Sequence, residues 1–113
     1  MNGSTGRTRK YFYVYILASL SGTLYVGLTD DLPLRIWQHR NGKYDGFTKK
    51  YKVDRLMFYE TLTDPLEARR RELQLKRLKR EKKIALFELS NPGWKDLSKD
   101  LWSVKKASGA RRS

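Results

Sequence analysis

Leu32, Arg35, Ile36 and His39 recur at i, i+3, i+4 and i+7, a spacing that on a helix puts the single histidine and an arginine on the stripe that otherwise faces inward. Two readings of that stripe stand side by side: a site, or a core edge over which the arginine lays its aliphatic stem. Farther along, Ala68, Glu72 and Leu75 share a second helical face, which sets one carboxylate among apolar neighbours in a basic segment. Glu72 also precedes Lys76 by four residues, the spacing of an ordinary helix salt bridge. Tyr15 and Tyr25 fall in two strand-like segments, where a tyrosine by itself reads as core. As a set, these types supply a hard oxygen ligand for a divalent ion, a cation for a phosphate and proton acceptors for water. That is the equipment for cutting a phosphodiester.

The elements that must position them are legible in outline. Tyr11 to Ala18 is apolar or aromatic throughout and rich in strand formers, which predicts a strand buried on both faces. Ser19 to Gly22 reads as a turn with Gly22 at positive φ, and Thr23 to Leu28 as the returning strand of a hairpin. Tyr15 and Tyr25 share a face of that hairpin only if cross-strand partners sum to an even number near 40, which a loop of three or five residues provides. Thr29-Asp30-Asp31 with Pro33 starts a helix that runs to about Arg40 and ends at Asn41-Gly42. Residues 41–52 are expected to form a polar loop and 54–60 a third strand. Thr63-Asp64-Pro65 with Glu67 opens a helix through Leu78, and a further helical stretch, 80–90, is stopped by Asn91-Pro92-Gly93. The order ββαβαα describes an α/β (α+β) domain, a small three-stranded antiparallel sheet flanked by helices.

The chain has 113 residues and a net charge of +13, enough for one domain and one small site. It has no cysteine, which removes disulfides, zinc–cysteine fingers, iron–sulfur clusters and thiol nucleophiles together. No apolar run reaches the roughly 18 residues of a membrane span, so a soluble cytoplasmic protein without membrane contacts is expected, a monomer or weak dimer. Residues 1–10 and 103–113 carry +3 and +4, contain few apolar residues, and read as basic disordered arms around a folded unit at 11–102. The +6 left to that unit lies within 67–83, where nine basic residues face three glutamates. Such a stripe attracts phosphate backbones by counterion release, and nucleic acid is the expected partner over a merely solvated helix face.

The segment Val14-Tyr15-Ile16, then Tyr25-Val26-Gly27 ten residues later, then Arg35, His39, Glu72 and Asn91 resembles the GIY-YIG endonuclease family. That family includes the amino-terminal nuclease domain of the bacterial excision-repair incision enzyme, intron homing endonucleases and some restriction enzymes, and the likeness to its short stand-alone members spans about 11–102. Val14 stands where the name-giving glycine would, a change that a strand interior accepts although a close backbone approach is lost, and Val26 replaces an isoleucine. The resemblance implies a divalent-metal-dependent endonuclease hydrolysing DNA phosphodiester bonds, with Glu72 holding a single Mg²⁺ or Mn²⁺ and Arg35 clamping the scissile phosphate. It implies that Tyr15 orients or deprotonates the attacking water with His39 assisting, and that Tyr25 bonds the phosphate or water network. Asn91 would bond the phosphate or fix the Glu72 region. A free phenol titrates near 10, so Arg35, the metal or His39 would have to lower Tyr15 or relay its proton; which of Tyr15 and His39 is the base stays open.

Lys49 and Lys50 would lie along the strand being cut without acting in catalysis, and Trp37, Tyr44 or Phe47, if exposed, would stack on unpaired bases of single-stranded or branched DNA. The competing function is a basic nucleic-acid-binding module that cuts nothing, or the nuclease part of a larger DNA-repair assembly, since a chain of this length has no room for a separate sequence-reading domain.

Overall fold

The computed structural model describes residues 10–101, so the two basic arms lie almost wholly outside the described residues. The chain folds as β1 (Phe12–Ala18), β2 (Leu24–Thr29), α1 (Leu32–Arg40), α2 (Gly46–Tyr51), β3 (Arg55–Leu62), α3 (Pro65–Arg77) and α4 (Arg80–Glu88). The strands form one antiparallel sheet in the order β2-β1-β3. β1 is therefore the middle strand, and its continuous apolar run follows from having a neighbour on each side and a packed layer on each face.

Alternation along β1 divides the core. Val14, Ile16 and Ala18 face α3 and α4 and pack with Val26, Met57, Ala68, Leu75 and Phe87. Tyr15 and Leu17 face the other way, against Leu32 and Ile36 of α1 and Val53 and Leu56. Side chains such as Ile16 and Phe87, fully buried, each contribute about 2–3 kcal/mol of apolar transfer. Val14 is also fully buried and pairs with Leu28 and Glu60 across the sheet, so the valine fills core where the family glycine would leave space.

The turn chemistry acts where the sequence places it. Ser19 and Thr23 close the hairpin with an N–H to carbonyl bond of 2.9 Å, and Gly22 adopts φ +96. Asp31 caps α1 by accepting from Leu34 N at 3.1 Å, and Asp64 caps α3 by accepting from Glu67 N at 2.8 Å, each followed by a first-turn proline. The expected polar loop 41–52 is corrected, because it contains α2. Asp45 caps this helix through Phe47 N (2.7 Å) and Thr48 N (3.4 Å), and Lys52 ends it in the left-handed region at φ 55. Six residues beginning with glycine and carrying two lysines show no apolar period, so only the cap could have betrayed the helix. β3 also runs two residues beyond its expected end, to Leu62.

Candidate active site

In the hairpin Tyr15 pairs with Gly27 and Tyr25 with Leu17, so partners sum to 42 and both tyrosines project to one face. His39, the penultimate residue of α1, meets them there. Its ring lies 5.8 Å from that of Tyr15 and 5.2 Å from that of Tyr25, and its Nε2 is 2.9 Å from Tyr15 Oη. Tyr15 is 0% and His39 1% exposed, so this pair is sealed from bulk water. Gly27 makes the arrangement sterically feasible. The Tyr15 ring lies across the β2 backbone, and a Cβ on residue 27 would come within 2.9 Å of Tyr15 Cε1 and closer still to Cζ and Oη.

Arg35, half-buried one turn before His39, completes the group. Its guanidinium lies 3.8 Å from the centroid of the Tyr44 ring, and it donates to Leu28 O at 3.3 Å and Gln38 Oε1 at 3.2 Å. The Tyr44 ring centroid also lies 5.0 Å from that of His39 in a T-shaped contact, so Tyr44 and Arg35 pack over the Tyr15–His39 pair. α2 reaches the same group through its cap. Tyr25 Oη donates to Asp45 Oδ2 at 3.3 Å, and Thr48 Oγ1 lies 2.8 Å from His39 Nδ1. Sequence reasoning missed Asp45, Thr48 and the steric part of Gly27. The Asp-x-x-Thr capping pattern was a usable signal for the first two, but nothing in nine residues of separation ties Thr48 to His39.

Burial sets the protonation states. It pushes Tyr15 far up, and the adjacent Arg35, pulling down, is outweighed. Tyr25 is raised too, by burial and then by Tyr15, Tyr44 and Asp45. His39 falls to about 4, first through burial and then through Arg35. At neutral pH both phenols hold their protons, and the imidazole is neutral with one lone pair free to accept.

Glu72 arrives from α3, which packs on the opposite side of the sheet with Ala68 and Leu75. Its carboxylate, with 7% of the side chain exposed, binds Arg69 Nη1 at 2.6 Å and Lys76 Nζ at 2.9 Å. Burial pushes it up, but Lys76 and Arg69 outweigh burial and hold it below the usual carboxylate range. The salt bridge to Lys76 thus exists as the spacing suggests. Glu72 makes no direct bond to the tyrosines or His39, yet its charge is felt at Tyr15, where it further disfavours the phenolate. Among the described residues no three acidic or imidazole side chains cluster as a metal cage. Glu72 would offer a Mg²⁺ or Mn²⁺ ion one point of anchorage, with Arg69 and Lys76 yielding the carboxylate to it.

Asn91 is not brought into this group. Its Nδ2 donates to Met57 O (3.2 Å) and Lys95 O (2.8 Å), and its Oδ1 accepts from Lys95 N at 2.9 Å, so the amide is spent clamping the turn after α4 onto β3. Of the two roles expected for it, bonding the phosphate and fixing the Glu72 region, these contacts serve a fixing role, directed at β3 rather than at Glu72. Lys49, Lys50, Phe47 and Tyr51 are exposed on α2, Tyr44 is exposed just ahead of its cap, and Trp37 is exposed on α1.

A three-stranded sheet holding paired tyrosines over an α1 arginine and histidine, with a carboxylate supplied from α3, defines a small nuclease-type domain. The family model of the GIY-YIG catalytic domain matches residues 11–85. The chain belongs to the GIY-YIG family, and membership implies nuclease activity. It is similar to a UPF0213 protein of Staphylococcus epidermidis, 34% identical over 76 residues that cover 67% of this chain and 93% of that one. It is also similar to a UPF0213 protein of Desulfotalea psychrophila, 32% identical over 98 residues that cover 86% and 89%. A solution NMR structure of a UPF0213 protein from Bacillus halodurans superposes with a TM-score of 0.51 at 34% identity, over 79% of this chain and 95% of that chain. No helix among the described residues is long and apolar enough to cross a membrane.

Proposed function

We propose that this protein is a divalent-metal-dependent endonuclease that hydrolyses DNA phosphodiester bonds. The observation that carries the reading is the sealed 2.9 Å pairing of Tyr15 with a neutral His39 beside the Arg35 guanidinium. Glu72 would be the one protein ligand of a Mg²⁺ or Mn²⁺ ion, which when bound supplies positive charge to the scissile phosphate. Arg35 leaves the face of Tyr44 to grip that phosphate and offset its developing charge. Tyr15 passes its proton to His39 Nε2, and the phenolate so formed takes a proton from the attacking water. Water oxygen bonds to phosphorus as the bond to the leaving oxygen breaks. The pathway makes His39 the final proton store and, once Arg35 has moved off Tyr44 to the phosphate, Tyr15 the group that meets water. Tyr25, anchored on Asp45, orients the phosphate or its water.

Unpaired DNA is the substrate form this surface suits. Phe47 stacks on Tyr25 at 6.4 Å and 28°, and Tyr51 follows Phe47 at 4.9 Å. Phe47 and Tyr51 are 44% and 47% exposed on a helix that also carries Lys49 and Lys50, an alternation of π-faces and cations suited to bases and backbone without sequence readout. The alternative, a nucleic-acid-binding module that does not cut, draws on Arg69 and Lys76, which already neutralise Glu72.

Glu72→Gln separates the two. Cleavage by the full chain is expected to drop at least about 10³-fold while DNA binding is kept or raised, and EDTA should stop wild-type cleavage. Cleavage unchanged by the substitution would remove Glu72 as the metal ligand, and no cleavage by the wild type across single-stranded, duplex, flap and junction DNA with Mg²⁺ or Mn²⁺ would favour the binding module.

A further inference from the structure

The sealed cluster around His39 contains three protons whose placement can be counted. Tyr15 Oη faces His39 Nε2 at 2.9 Å, Thr48 Oγ1 faces His39 Nδ1 at 2.8 Å, and Thr48 Oγ1 also lies 3.0 Å from Asp45 O. If His39 carries its proton on Nδ1, every hydrogen has an acceptor: Tyr15 donates to Nε2, Nδ1–H donates to Thr48, and the Thr48 hydroxyl donates to Asp45 O. With the proton on Nε2 instead, that N–H must donate to Tyr15, and the phenol's own hydrogen is left without an acceptor. Tyr15 is 0% exposed, so water cannot supply one, and its other charged neighbour, Arg35, has only donors to offer. Asp45 O does not share this need, because Lys49 N already donates to it at 3.2 Å. Hence the Nδ1–H tautomer is the one that satisfies every proton, and it requires Thr48 Oγ1 as the acceptor of Nδ1–H.

We propose that Thr48 is a positioning residue of the nuclease, holding His39 as the Nδ1–H tautomer so that the Nε2 lone pair points at Tyr15. The inference rests on the proposed proton path from Tyr15 to His39. When Nε2 takes the phenol proton, the resulting imidazolium keeps Nδ1–H on Thr48, so one threonine serves the ring in both protonation states. Burial keeps His39 neutral before that step, with its pKa near 4. Thr48 can do this because Asp45 caps α2 and fixes the first turn, in which Thr48 is the third residue.

The chain has one histidine, so long-range ¹H–¹⁵N spectra of the full-length protein report this imidazole without overlap. Wild type is expected to show a protonated Nδ1 and a bare Nε2. Thr48→Ser should keep that pattern and stay within about threefold of wild-type kcat, because the hydroxyl is retained. Thr48→Val keeps the volume but cannot accept. Its spectrum should move to the Nε2–H form, with kcat lower by about 10–100-fold and the Kd for DNA unchanged. A wild-type ring already protonated on Nε2 overturns the proposal before any variant is made. So does a Thr48→Val protein whose ring keeps the wild-type pattern, or one whose tautomer changes with no loss in kcat. If Thr48→Val does not fold, Thr48→Ala read by the same spectrum replaces it, with the same outcomes. His39→Gln tests the underlying path separately: undiminished cleavage there removes His39 from the chemistry, while the tautomer spectra still decide whether Thr48 sets the ring.

Discussion

Replacing Gly27 by alanine adds one methyl group at the point where β2 passes under the Tyr15 ring. The backbone at residue 27 is not in the left-handed region, so conformational freedom is not what glycine supplies here; space is. The new Cβ would stand 2.9 Å from Cε1 and closer to Cζ and Oη, whereas carbon atoms rest at about 3.5–4.0 Å, so the phenol must retreat by on the order of 1 Å. It has nowhere free to go. Tyr15 is fully buried, with Tyr25 at 6.4 Å and His39 at 5.8 Å, and a shift of that size breaks its 2.9 Å bond to Nε2. Overpacking of this kind costs about 1–3 kcal/mol, offset by roughly 0.5–1 kcal/mol because alanine suits a strand better than glycine, which leaves a net loss of about 0–2.5 kcal/mol. The catalytic loss should be larger in relative terms, since a 1 Å misplacement of a reacting group costs about 10²-fold. Urea unfolding and single-turnover cleavage measure the two effects on one preparation. Wild-type kcat in a Gly27→Ala protein that folds would refute the claim that the Tyr15 position against β2 governs the chemistry.

Three further outcomes follow from other contacts. His39 titrates near 4 in the folded protein against about 6.5 in the unfolded chain, so between those values the unfolded chain binds the extra proton; stability should hold above pH 6.5 and fall on acidification towards pH 4 by up to about 3 kcal/mol, a slope that urea titrations of His39→Gln should lack. The lowered Glu72 carboxyl adds loss of the same sign in more acid solution. Asn91→Ala leaves Met57 O, Lys95 O and Lys95 N without their partner and is expected to cost about 1–3 kcal/mol with kcat near wild type; a 10²-fold fall in kcat at unchanged stability would instead place Asn91 on the phosphate. Phe47→Ala should weaken binding of single-stranded oligonucleotides by about 1–3 kcal/mol and of duplex DNA far less, and equal losses on both would dismiss base stacking.

What the sequence determined by itself is local or periodic. β1 had to be a central strand because its apolar run leaves no face for water, and α1 and α3 had to begin where Asp31 and Asp64 stand ahead of proline. The hairpin register was legible only as a condition on loop length: the turn read as Ser19 to Gly22 has four residues and would give an odd sum, whereas the structure pairs Ala18 with Leu24 across five. Tertiary structure decided what distance along the chain conceals. Only packing could put Thr48 against His39, lay the Tyr15 ring across Gly27, and bury Glu72 on the opposite side of the sheet within electrostatic reach of Tyr15. It also set the charge states, because desolvation depends on the whole surroundings of a group: the same burial that lowers His39 raises Tyr15, against the pull of the arginine beside both. Asn91 illustrates the limit of motif order, since its position after α4 is legible in sequence, whereas the backbone groups that occupy its amide come from β3 and the following turn.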